Sequence, residues 1–228
     1  MALKNVREKR RIFLLSPANL SGRRAEILLR EEASFQLAAL VRATGAPLGD
    51  VFSFLSGLYF RGKLAYANAF AEPEKARDSI FVITATRGLL APHVAVDRAS
   101  LLEMAGVPIS CADSRYIRPL ERDLARLSTR IGDLTEIVLL GSIATPKYLE
   151  PLSKVFGEKL LVPIDFVGRG DMSRGALMLR AAREMVPLTY AAALSLQPGL
   201  PKPAQKPPSQ RLKTKNSITQ KTFRKRIS

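Results

Sequence analysis

Apolar residues along the chain fall into short dense runs, separated by longer stretches with a helical period. Residues 12–15, 80–85, 136–140 and 160–167 are rich in Ile, Val, Leu and Phe, as strands buried on both faces are. Between them the spacing changes. Residues 25–43 carry an apolar stripe of Ile27, Leu28, Phe35, Leu37, Leu40 and Val41, with Arg30, Glu31, Glu32 and Arg42 on the other face, which predicts one helix ended by Gly45 and Pro47. Asp50 is placed to cap a short helix over 51–55, and a further helix is expected from about Gly62 to Ala71 after a turn at Gly57. Asp97 starts a short helix to Met104. Pro119 starts another to Arg130, with Leu120, Leu124 and Leu127 inward. Thr145 and Pro146 read as the N-cap and first residue of a helix stopped by Gly157. Residues 187–194 read as a last strand or extended edge.

This alternation predicts an α/β domain, a layered and largely parallel sheet flanked by helices, over residues 12–197. In such sheets ligands bind beyond the carboxyl ends of the strands. Four polar stretches occupy those ends, and the expectation is that they wall one pocket. They contribute Ser16 and Asn19 after the first strand, Arg87 and Gly88 after the second, and Ser142 and Thr145 after the third. The fourth stretch, 168–175, is the richest. It holds Gly168, Arg169, Gly170, Asp171, Ser173, Arg174 and Gly175, and its glycines and arginines suit the binding of an anion or a base at the start of a helix. Its spacing is not that of a Walker loop, and it follows the last confident strand rather than the first, unlike a dinucleotide fingerprint. Asp165 and Asp171 are the acid/base candidates. Small polar residues also fill strand-to-helix loops that bind nothing, so the composition alone leaves both readings open. An aromatic and basic mixture, Tyr59, Phe60, Arg61, Lys63 and Tyr66, together with Lys147 and Tyr148, could stack on a base and contact phosphates, or belong to the core.

Charge changes the picture at the ends of the chain. The net charge of the 228 residues is +16, of which residues 198–228 carry +9 with no acid, and residues 1–11 carry +4. Five prolines fall between Pro198 and Pro208, so a Pro/Lys-rich disordered tail is expected, with DNA or RNA as partner through Lys202 to Arg226. Residues 1–11 read as a basic arm. The single histidine, His93, and the single cysteine, Cys111, form no metal-ligand constellation, so neither a metal nor a cofactor is expected. The run Ile12 to Leu15 is too short for a signal-peptide core, and no apolar run approaches the roughly 20 residues of a membrane span; the expectation is a cytoplasmic protein without membrane contact.

Five segments carry a resemblance: LYFRGKLAYA at 58–67, VITATRGLL at 82–90, RPLERDLARL at 118–127, LLGSIATPKYLEPL at 139–152, and the Gly/Arg stretch at 168–175. In their order they resemble an uncharacterised bacterial family distantly similar to the superfamily of uracil-DNA-glycosylase-like and peroxide-stress DNA-binding proteins. The resemblance implies a layered α/β fold and a nucleobase or nucleic-acid connection. It does not imply glycosylase activity, because the water-activating Asp motif and the late His motif of glycosylases have no counterpart here. Three functions follow as expectations: binding of a nucleotide, phosphate or nucleic acid, an enzyme acting on a nucleoside-like small molecule in the manner of a hydrolase or glycosidase, or a module that docks another protein.

Overall fold

The computed structural model describes residues 10–72, 79–142 and 146–196. The basic arm up to residue 9, the proline/lysine tail and the Thr145 cap lie outside the described residues.

The first strand, β1 (Arg10–Leu15), occupies the middle of the sheet. It pairs in parallel with β3 (Ile80–Ile83) on one side and with β6 (Thr135–Leu140) on the other. Outside β6 runs β7 (Leu160–Pro163), also parallel. The two edges are antiparallel: β4 (Leu89–Leu90) beside β3, and β8 (Tyr190–Ala192) beside β7. The six-stranded order is β4-β3-β1-β6-β7-β8. Ile12 to Leu15 and Ile137 to Leu140 are all buried. Neighbouring side chains on a strand point to opposite faces, so unbroken burial means that both faces of the sheet are covered. A separate antiparallel ribbon joins β2 (Ala46–Pro47) to β5 (Ala95–Val96).

The sequence expectation of one helix over 25–43 is corrected: there are two, α1 (Arg23–Leu29) and α2 (Gln36–Ala43), with extended backbone at Arg30 and Phe35 between them. The reason is angular. Ala25 and Val41 are both buried, and a continuous helix of about 3.6 residues per turn would aim them roughly 160° apart, wider than one apolar face. Breaking the helix lets each half face the core. Next come α3 (Leu48–Ser56) and α4 (Leu58–Phe70), joined at Gly57 with φ of 58°. The fourth helix therefore starts four residues before the expected Gly62. Asp97 caps α5 (Arg98–Ala105), accepting from Ser100 N at 2.8 Å, as its position suggested. The next helix, α6 (Ser114–Arg130), begins five residues before Pro119, because Asp113 caps it by accepting from Arg115 N at 2.9 Å. Its buried face is Leu120, Leu124 and Leu127, as expected, together with Tyr116. Helix α7 (Pro146–Phe156) leads to β7, and α8 (Asp171–Glu184) precedes the edge strand β8. No helix among the described residues is long and apolar enough to cross a membrane.

One packing contact is unusually close. Helix α4 lies against β1 on one side and α8 on the other. A Cβ at Gly62 would stand 2.6 Å from Gly175 O, and a Cβ at Gly175 would stand 2.7 Å from Leu58 O. The two helix backbones touch at these glycines, with no room for a side chain between them.

Candidate functional site

From β1 the chain crosses to β3 on one side, then returns past β1 to β6 on the other. Such a reversal of strand order opens a crevice at the carboxyl ends of the strands. A cavity of about 470 Å3 lies there, within the usual size of small-ligand sites. Its floor comes from the strand ends, at Ser16, Ala85 and Ser142. The segment Pro17 to Ser21 forms one wall, and Asn19 shapes it by accepting from Ser21 N at 2.9 Å and Ser21 Oγ at 2.8 Å. Phe52 and Leu55 of α3, Met104 of α5, and Val107 to Ile109 give an apolar side. Tyr59 of α4, Lys147 and Tyr148 of α7, and Asp171 at the start of α8 give a polar and aromatic side. Tyr116 of α6 holds the α7 portion in place, donating from its hydroxyl to Lys147 O at 2.8 Å.

The floor is drawn tight. Ser16 N donates to Leu140 O at 3.1 Å, and a Cβ at Gly141 would lie 2.9 Å from Ser16 Cβ. Beneath Ser16 sits Lys63 of α4, fully shut from solvent. Its Nζ lies 2.5 Å from Ser16 O and 2.9 Å from Ser16 Oγ. The same nitrogen stands 4.4 Å from the centre of the Tyr59 ring and 5.0 Å from that of Phe60. Burial lowers the Lys63 pKa to about 7, against the opposing pull of the Asp171 charge. Burial raises the pKa of Tyr59, with Arg174 pulling the other way. The Tyr59 hydroxyl is buried without a hydrogen-bond partner among the described residues. Tyr148 is raised further by burial and by the neighbouring Tyr59 and Asp171. Both tyrosines are therefore neutral donors at physiological pH.

Comparison with known proteins finds no significant match to a family model, a curated protein or a solved structure. The functional reading therefore rests on the chain itself.

The sequence-derived site divides in two. Ser16, Asn19, Ser142 and Asp171 come together in the cavity wall. Arg87 and Gly88 do not. The Arg87 guanidinium turns away to Glu103, 3.0 Å distant. Gly88, with φ of 63°, closes a turn in which Thr84 N and Thr84 Oγ1 both donate to Gly88 O, and its missing Cβ makes room for Asp123 and Pro119 O. The TATRG segment is thus a structural corner docked on α6.

The 168–175 stretch is corrected as well. Only residues 168–170 precede α8, so Ser173, Arg174 and Gly175 are already helical, and no side chain caps the helix. Gly168, Arg169, Gly170 and Ser173 are exposed and lie away from the cavity lining, with Arg169 Nη1 donating to Ser173 Oγ at 3.2 Å. Arg174 is buried and donates from Nε to Phe166 O at 3.1 Å, with the Asp171 carboxylate 3.6 Å from Nη1. It clamps the turn before α8. Asp165 lies on a 3-10 turn over Ile164–Phe166 rather than in a strand, and is exposed outside the cavity.

Of the aromatic and basic group, Tyr59, Tyr148 and Lys147 reach the cavity, Phe60 and Tyr66 belong to the core, and Arg61 is exposed. Lys63, for which the sequence left a phosphate contact and the core both open, is buried beneath the cavity floor. It stands four residues after Tyr59 and three before Tyr66, on the buried face of α4.

Proposed function

We propose that the cavity binds a nucleoside- or nucleobase-like small molecule. The observation that carries this is the pairing of Tyr59 and Tyr148 with serine hydroxyls and Lys147 around a strand-end cavity. Tyrosine rings offer a face for a base to stack on, and hydroxyls offer donors and acceptors for its edge. Among the described residues the charged lining is Lys147 and Asp171, one of each sign. This balance favours a neutral ligand or a monophosphate over a polyphosphate. Arg87, Arg169 and Arg174, which would have favoured a phosphate, are directed elsewhere.

A thermal-shift screen of nucleobases, nucleosides, nucleotides and inorganic phosphate tests the reading. A true ligand at 100 times its Kd stabilises the fold by about 2.7 kcal/mol, a rise in Tm of roughly 5–10 °C for a domain of this size. Tyr148→Ala should remove most of that rise. A screen in which inorganic phosphate alone stabilises the protein, equally in wild type and Tyr148→Ala, would replace the base reading with simple anion binding.

A second reading concerns nucleic acid, and is favoured by the charge of +9 over residues 198–228. Binding of DNA or RNA through such a segment is driven by counterion release and falls steeply with salt. Deleting residues 198–228 should weaken binding to both polymers and flatten the salt dependence. Unchanged affinity and slope would remove the tail from the interaction.

A further inference from the structure

The contact between Ser16 and Lys63 has a chemistry that ligand binding does not require. A lysine head group that only satisfied the end of β1 would need the Ser16 carbonyl alone. Here Nζ also reaches Ser16 Oγ, at 2.9 Å, and Ser16 lines the cavity. In the ammonium form Nζ donates to Oγ. In the amine form Nζ still donates to Ser16 O, and its lone pair accepts from the Ser16 hydroxyl. That second arrangement is the one in which a desolvated lysine activates a serine. Burial favours it: Lys63 is shut from water, and among the described residues no carboxylate forms an ion pair with it, although the ring faces of Tyr59 and Phe60 favour the ammonium.

We propose that Ser16 and Lys63 form a nucleophile–base pair at the floor of the cavity, and that the protein cleaves a carboxylic ester or amide carried by its ligand. The identity of that ligand as nucleoside-like rests on the reading above; the pair does not. The chemistry balances with water as the only co-reactant. Ser16 Oγ forms a bond to the acyl carbon as its proton passes to Lys63 Nζ. The bond from that carbon to the leaving oxygen or nitrogen breaks, and the leaving group takes the proton from Nζ. Water then attacks the acyl-serine, gives a proton to Nζ, and releases the acid while Ser16 regains its proton. A carbonyl centre suits this cavity better than a phosphoryl centre, because among the described residues its lining offers one cation, Lys147, and one acid, Asp171. The ionisable groups around Lys63 are Tyr59 on its own helix, whose ring centre is 4.4 Å from Nζ, and Asp171 on α8, with Arg174 and Tyr148 coupled to Tyr59. Of these, Asp171 favours the charged lysine, and burial favours the amine.

The test uses the full chain and an alkyl fluorophosphonate, read by intact mass and peptide mapping. The expected result is one adduct, on Ser16, absent in Ser16→Ala. Its rate in wild type should rise with pH and level off with a midpoint near 7. Lys63→Met should label at least about 100-fold more slowly, the size of effect that loss of a general base produces. If Lys63→Met fails to fold, the wild-type pH profile decides. No adduct on Ser16 of the folded protein overturns the pair, as does a rate that climbs tenfold per pH unit to pH 9 without a plateau. Nucleosides tested for protection separate the two claims. Labelling of Ser16 that no nucleoside slows supports the pair and removes the ligand reading. A nucleoside thermal shift without labelling keeps the ligand reading and removes the pair.

Discussion

Gly175→Val is expected to leave the protein unfolded at room temperature, and Gly62→Val to do the same. A Cβ at position 175 would lie 2.7 Å from Leu58 O and 2.9 Å from Tyr59 Cα, both backbone atoms of α4. From the other side, a Cβ at position 62 would lie 2.6 Å from Gly175 O and 3.0 Å from Gly175 Cα. Backbone cannot rotate out of the way as a side-chain tip can, so the helices must separate. Overpacking in a well-filled interior costs about 1–3 kcal/mol and occasionally more. Here separation would also uncover Tyr59 and Lys63 on α4 and Arg174 and Met178 on α8, all buried. Total stabilities are about 5–15 kcal/mol, so the larger substitutions consume most of it. Gly175→Ala should lose about 3 kcal/mol in urea denaturation, even though alanine is the better helix former by about 1 kcal/mol. Gly170→Ala is the control, because nothing lies within 4 Å of its Cβ; its cost as an N-cap change is about 1 kcal/mol or less. A Gly175→Ala protein as stable as wild type would mean that the helices do not touch as described.

These glycines show what the sequence conceals. A glycine signals either a backbone that needs a positive φ or a place with no room for a side chain. In the Gly/Arg stretch at 168–175 both kinds occur within eight residues. Gly168 has φ of 74° in an open turn, whereas Gly175 is helical and pressed against Leu58 and Tyr59 of α4. Only the partner helix distinguishes them. Arginine hides its role in the same way. Arg174 looks like a free anion contact in sequence, but its guanidinium is spent on Phe166 O. What depends on local pattern was legible: the apolar runs became β1, β3, β6 and β7, and the ends of β1 and β6 supply the cavity floor. The boundaries that moved did so through local competition, as where Asp113 captured the start of α6 ahead of Pro119. Lys63 was obscured by a boundary too. With α4 taken to begin at Gly62, the residues that place Lys63 on a buried face, Tyr59 and Phe60, fell outside the helix.

Stability should rise with pH between about 7 and 9.5, and Lys63 should be the reason. Burial brings its pKa down from the ordinary 10.5 to about 7. Below pH 7 the group is charged in both the folded and unfolded chain, and the folded state bears the whole cost of burying it. Between 7 and 10.5 the folded chain holds the amine while the unfolded chain still binds a proton. The unfolded state then carries more protons, so the free energy of unfolding increases with pH, by up to about 1.4 kcal/mol per pH unit. The gain from pH 7 to 9.5 is about 3 kcal/mol. The tyrosines set the upper limit. Tyr59, Tyr66, Tyr116, Tyr148 and Tyr190 all have pKa values raised chiefly by burial. Above pH 10 they ionise first in the unfolded chain, which lowers stability again. The profile should therefore peak on the alkaline side, later than the usual pH 5–8. Urea denaturation across pH 6 to 10 on wild type and Lys63→Met measures it. The variant leaves the carbonyl and hydroxyl of Ser16 without their nitrogen partner, so its stability at one pH mixes two effects; the slope between 7 and 9.5 isolates one. The rise should be lost in Lys63→Met, leaving near pH 9 only the opposing trend of Cys111, whose pKa burial raises from 9.0. Equal slopes in the two proteins would mean that Lys63 keeps its proton in the folded state, and would take away its capacity to act as a base at Ser16.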